Sequence, residues 1–337
     1  MLESSASFDI ITISARKQNL LKRQKINENE DMMNKLPEPL ISRILSLLPT
    51  KDAVRTSVLS KKWVFRWTFI TKLALDDAVF YSPKKKTGVN MSFTNFVYRV
   101  FLLTQNISLE SFSLVIANQY DASLLNTCIS NILRRAVKSL HIRTRFKMPV
   151  SSLTSHSLFK STLLEELVLS MESCAIRVAT GYVYFGFLRL LKLSGISFTP
   201  DPNLNCLKLS LPVLKVFEST NCTWLNVKVV DLKAPLLERV IVVQNGKSMS
   251  YGTPKCAIMK ISASNLTEFS YSGDGYISHY LGLSNSSLAH NASLNVTVNQ
   301  FPINKDPETK TRVFWLLKQF SQVKYLKFMG CEVSILP

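Results

Sequence analysis

Residues 36–67 read LPEPLISRILSLLPTKDAVRTSVLSKKWVFRW, and this stretch decides what the N-terminal part of the chain is. Leu40, Ile41, Ile44, Leu45 and Leu48 recur at the spacing of one helical face. Pro37 and Pro39 fall in the first turn of that helix, where a missing N–H is tolerated, and Pro49 ends it. Thr50 is placed to cap a second helix through Val54 and Val58, with Asp52 in the first turn facing the positive end of the helix dipole. Ser60 is placed to cap a third helix, on which Trp63 and Trp67 lie four apart and share a face. A unit of about 40 residues is too small to bury so many large apolar groups by itself. Either some of that surface faces a partner, or the unit is a small helical cap on the rest of the chain.

The same residues resemble an F-box of the plant type. The matching run is Leu36-Pro37, then Ile44 through Lys51, then Ala53 through Trp63, with Trp67 at the end. Lys62 departs from the arginine frequent in the family and keeps its charge. The resemblance implies a three-helix module that docks on the Skp-type adaptor of a cullin-based ubiquitin ligase. Carried over position by position, it implies that Leu36, Pro37, Ile44, Leu45, Leu48, Pro49, Leu59 and Trp63 form the adaptor surface or the packing beneath it.

Beyond this unit, Leu73 to Asp77 reads as a short strand, Lys84 to Gly88 as a charged turn, and Phe93 to Thr104 as a helix. From Leu109 a six-residue signature repeats, apolar-x-x-apolar-x-apolar. Its clear copies start at Leu109, Val137, Leu164, Leu188, Leu211, Leu237, Leu266 and Val323. A degraded copy around Leu294 and Val296, with Asn291 in its first slot, fills the long gap before the last. A fixed signature at this period is that of leucine-rich repeats. No single copy can bury its own apolar face, so the copies stack into a solenoid. The last two apolar positions point into the core and the residue between them points out onto a concave parallel sheet. That places Ser113, His141, Val168, Lys192, Lys215, Ile241 and Ser270 in outward slots. Irregular loops and short helices are expected on the convex side. His141 is a candidate ligand contact or a surface histidine. Lys192 and Lys215, adjacent in the stack, favour an acidic or phosphorylated partner or else serve solubility.

The fold class is therefore an α+β to α/β solenoid: a small three-helix F-box followed by an irregular leucine-rich-repeat solenoid with a parallel concave sheet. The expected division is a tail over 1–30, the F-box over 31–75, a linking strand and helix over 76–108, and repeats over 109–337. This order resembles that of a large family of plant F-box proteins with leucine-rich repeats. Many members carry a further C-terminal domain, which would begin about where this sequence stops.

The remaining totals narrow the function classes. The chain has 337 residues and a formal net charge of +18. The charge is spread, with +1 on residues 1–30, +5 on 31–75 and +12 on the rest. Attraction of a basic chain to phosphate is unspecific, so nucleic acid is the least favoured partner class. No apolar run reaches 18 residues, so no membrane-spanning helix is expected, and the N-terminus has no secretory pattern. The cysteines Cys128, Cys174, Cys206, Cys222, Cys256 and Cys331 are widely spaced and read as free thiols rather than metal ligands or disulfides. The histidines His141, His156, His279 and His290 have no carboxylate or cysteine at triad or metal-ligand spacing. No catalytic residue, metal site or cofactor is expected. The function implied by the resemblance is the substrate-recognition subunit of a cullin-based ligase, with its cullin reached through the adaptor and its target protein held by the repeats. A scaffold that does not ubiquitylate is the alternative. Two loose basic clusters at Arg16-Lys17 and Lys22 to Lys25 leave the location as nucleus, cytoplasm or both.

Overall fold

The computed structural model describes residues 36–80, 89–105, 107–120, 122–146, 153–154, 158, 163–201, 203–244, 258–273, 280–284, 293–298, 314–315, 318 and 325–329. The tail, the turn Lys84 to Gly88, Asn291, Val323, Cys256, Cys331, His156, His279 and His290 lie outside these.

The N-terminal unit begins with helices α1 (Glu38–Ser46) and α2 (Thr50–Arg55). The second helix, expected to run through Val58, gives way after Arg55 to a 3-10 turn at Thr56–Val58, and the expected third helix is instead two short 3-10 turns, at Lys61–Trp63 and Arg66–Phe69. Thr56 Oγ1 donates to Ala53 O and Ser57 Oγ donates to Val64 O, so these hydroxyls take over bonding that a continuous helix would need from the backbone. The capping residues also differ. Pro49 holds the N-cap of α2 and Thr50 is its first helical residue. Ser60 stands at an N-cap position and makes no capping bond with its side chain.

Freed from capping, Thr50 is fully buried and its Oγ1 accepts the N–H of Ala74 at 2.8 Å. Ala74 belongs to β1 (Lys72–Asp76), the short strand expected at Leu73. β1 is the first strand of the main sheet and pairs in parallel with β2 (Ser111–Ile116). Just after β1, the buried Asp77 accepts the N–H groups of Ala117 and Asn118 and the side-chain amide of Asn118, all within 2.9 Å. Lys51 Nζ donates to Val79 O at 2.7 Å. The helical unit is thus fastened to the first rung of the solenoid.

From β2 the main sheet continues, wholly parallel, through β3 (Ser139–Thr144), β5 (Glu166–Val178), β7 (Leu190–Pro200), β9 (Val216–Thr220), β12 (Arg239–Gln244), β14 (Glu268–Gly273), β16 (Ser293–Val298) and β17 (Tyr325–Met329), with the short β4 (Leu153–Thr154) and β10 (Thr223–Trp224) paired to the far parts of β5 and β7. Seven first-slot residues, Leu109, Val137, Leu164, Leu188, Leu214, Leu237 and Leu266, are at most 1% exposed. The degraded copy is present as β16, with Val296 buried.

One copy sits three residues later than the sequence pattern places it. Leu190, Leu191 and Lys192 stand opposite Val216, Phe217 and Glu218. The fifth copy is therefore Leu214, Phe217 and Ser219, and a buried serine in its last slot hid it. Leu211, which mimicked the first slot, directly follows another strand, and its N–H bonds Lys233 O.

That other strand belongs to a second parallel sheet, which replaces the loops expected on the convex side. Helices α3 (Val89–Leu103) and α4 (Ala122–Leu133) occupy the early coils. Later coils carry β6 (Tyr182–Tyr184), β8 (Cys206–Ser210), β11 (Val229–Lys233), β13 (Ile258–Ser262) and β15 (Tyr280–Ser284). The cause is a period of two: Leu207 and Leu209, Val230 and Leu232, and Met259 and Ile261 are buried around Lys208, Asp231 and Lys260.

β5 and β7 are long because each turns a corner. Their pairing breaks register after Ser170 and resumes at Cys174 opposite Ile196. Gly195 makes the corner at φ +66°, where a Cβ would lie 1.8 Å from Met171 O, so no other residue fits.

Candidate protein-docking surfaces

Helix α1 is apolar on two sides. Ile41 and Leu45, four apart, face inward and are at most 1% exposed. Leu40, Ile44 and Leu47 follow the same spacing one step round and face out, at 49%, 41% and 79% exposure. The 3-10 segment repeats the division. Trp63 and Trp67 go into the core, while Val58, Leu59, Phe65 and Phe69 stay more than half exposed. Arg66 lies over the Trp63 ring and pairs with Glu38 at 2.5 Å, tying the last turns back to α1. Leu36, Phe65 and Phe69 line an open basin of about 580 Å³ with Glu38, Lys61, Lys62 and Arg66.

The sequence-derived set divides accordingly. Pro37, Ile44, Pro49 and Leu59 lie on the surface, Leu36 and Leu48 are half-buried against the core, and Leu45 and Trp63 are beneath it. The sequence pattern does not single out Leu47, Phe65 and Phe69. Phe65 and Phe69 lie four apart like the two tryptophans, so spacing alone does not tell which pair faces out.

The second surface is the outward row of the main sheet. Ser113, His141, Val168, Lys192, Ile241 and Ser270 stand in register across it as expected. The fifth slot is Glu218, not Lys215. Lys192 therefore has a carboxylate beside it, with Nζ 2.9 Å from Glu218 Oε1, rather than a second lysine. Lys215 lies one residue before β9 and pairs with Glu238 at 2.9 Å. The anion-attracting lysine pair read from the sequence does not exist. His141 is half-exposed, its Nε2 3.2 Å from Ser139 Oγ and 3.6 Å from Glu166 Oε2. Arg239 and Glu268 close another cross-strand pair at 2.6 Å.

Among the described residues no group of histidine, cysteine or acidic side chains is arranged to hold a metal, and no helix is long and apolar enough to cross a membrane. Cys128 is buried in the solenoid, and burial pushes its thiol up to about 12. Burial raises the Cys222 thiol as well, so both are unreactive free thiols at neutral pH.

Comparison with known proteins bears on the same two regions. The F-box domain family matches residues 33–67. F-box/LRR-repeat protein At4g14096 of Arabidopsis thaliana is 31% identical over 242 residues, covering 69% of this chain and 50% of that protein. F-box/LRR-repeat protein At3g59200 of the same plant is 31% identical over 257 residues, covering 69% and 46%. F-box/FBD/LRR-repeat protein At3g14710, also from Arabidopsis thaliana, is 31% identical over 261 residues, covering 75% and 56%. The chain thus spans about half the length of the curated relatives it matches. No solved structure matches.

Proposed function

This chain belongs to the F-box proteins whose helical module is followed by leucine-rich repeats, and from that premise we propose that it is a non-catalytic, substrate-recognition subunit of a cullin-based ubiquitin ligase. The observation that carries the proposal is the set of large apolar side chains on α1 and the 3-10 turns that stay exposed although Ile41, Leu45, Trp63 and Trp67 beneath them are already buried. A Skp-type adaptor is the partner for that face. Leu40, Ile44 and Leu47 supply a helical stripe, and Leu59, Phe65 and Phe69 continue it. The area removed from water drives the contact.

The solenoid then binds the target protein on its outward row. With Lys192 matched by Glu218 within the row, and Arg239 of the adjoining row matched by Glu268, the row offers little free charge and selects by shape and hydrogen bonding. Ubiquitin transfer itself belongs to partners. The chain contributes proximity, because tethering raises the effective concentration of target lysines at the loaded enzyme.

Titration of the full chain with a plant Skp-type adaptor tests the first half. A one-to-one complex is expected, weakened by Leu36→Ala with Pro37→Ala while the solenoid stays folded. No complex with soluble, folded protein would overturn the proposal. Accumulation of the target on depletion of this chain separates a ligase subunit from a scaffold.

A further inference from the structure

The turns that lead into the main sheet carry a feature that neither docking surface uses. Glu166, Leu190, Val216 and Arg239 stand in register across four successive strands. Three residues before each come Leu163, Phe187, Val213 and Leu236. Leu163, Phe187 and Leu236 are 46%, 57% and 42% exposed, and Val213 is half-exposed. The residue after each is a leucine, Leu164, Leu188, Leu214 or Leu237, buried in the core. Four consecutive coils therefore send one apolar side chain in and its neighbour out. In the coils on either side the same slot holds Ala136 and Asn265, so the row has defined ends.

Solvated turns favour glycine, asparagine, aspartate and serine. Large apolar groups repeated there form a patch that gains from being covered. Neighbouring strands lie about 4.8 Å apart, so the row is about 14 Å long. An α-helix rises about 5.4 Å per turn and, laid along the row, meets one coil per turn. Two residues after each ridge position stand Glu165, Arg189, Lys215 and Glu238. Glu165 pairs with Lys138 at 3.3 Å and Lys215 with Glu238 at 2.9 Å. Arg189 is exposed and in no ion pair among the described residues. A second copy of this chain fits poorly, since two-fold pairing about the middle of the row sets Arg189 opposite Lys215.

We propose that this row is a docking ridge for an amphipathic α-helix of a partner protein. One apolar side chain per turn packs against Leu163, Phe187, Val213 and Leu236, and an acidic side chain on the flank pairs with Arg189. The proposal does not rest on the adaptor reading, because it uses no residue of the helical module.

The test is selection of displayed helical peptides, with apolar residues at alternating three- and four-residue spacing and randomised flanks, on the full chain. Selected peptides are expected to carry Asp or Glu on one flank. Their affinity should fall about tenfold or more with Phe187→Ser or Leu236→Ser, both exposed positions. Arg189→Glu should lose them and bind a peptide whose acid is changed to lysine. This charge swap reads the contact directly should a ridge substitution disturb the fold. A selection without binders, or binders indifferent to Phe187→Ser, Leu236→Ser and Arg189→Glu, would overturn the proposal. So would a dimer of the unliganded chain, seen by sedimentation, that Phe187→Ser dissolves, because the ridge would then belong to a second copy.

Discussion

On residues 36–70 seven large apolar side chains are exposed around a core that is already closed. On the outward face of the main sheet the charged side chains Lys192 and Arg239 each have a carboxylate within 3 Å. The first surface is unsatisfied by itself and gains from any partner that removes it from water. The second is already satisfied, so a partner gains there only by matching its shape. A module reused with one constant partner suits the first design, and discrimination among many proteins suits the second.

The contrast can be broken most forcibly from inside the module. Trp63→Ala removes a side chain only 1% exposed and should lower the stability of the helical unit by about 3–5 kcal/mol, read as a loss of its thermal transition. Adaptor binding should vanish with it. Asp77→Ala comes next. It strands the N–H groups of Ala117 and Asn118 in a buried site and should cost about 3 kcal/mol, with those amides exchanging faster with solvent. Leu47→Ala sharpens the comparison. Its side chain is 79% exposed, so the melting curve should not move. Calorimetric titration with the adaptor should still lose about 1–2 kcal/mol. Smallest is Glu218→Gln on the sheet, which removes a half-exposed ion pair and should change stability by less than about 1 kcal/mol in chemical denaturation.

The module and the repeats were legible in the sequence because both rest on long ordered patterns of apolar residues. The limits have physical causes. Leu211, Leu214 and Val216 satisfy the repeat signature, whereas Leu214, Phe217 and Ser219 break it in the last slot, and only pairing with Leu190 to Ser194 reveals the second register. Lys215 was misplaced for that reason, and an apparent pair of lysines became a lysine beside a glutamate. The second sheet was missed because its strands are five residues or fewer and sit between stronger signals. On α1, an apolar stripe wide enough for two faces gives no sign of which half the core takes. Leu45 and Ile44 are neighbours with opposite fates.

The bond from Ala74 N–H to the Thr50 hydroxyl has a further consequence. β1 is the outermost strand of a long parallel sheet, and such a strand is a template on which another chain can add. Helix α2, lying against it, acts as an end stop. A truncation made to obtain the repeats alone would remove that stop and leave an open ladder, prone to grow edge to edge into insoluble assemblies. The solenoid is therefore best handled with its helical module attached, whatever that module binds.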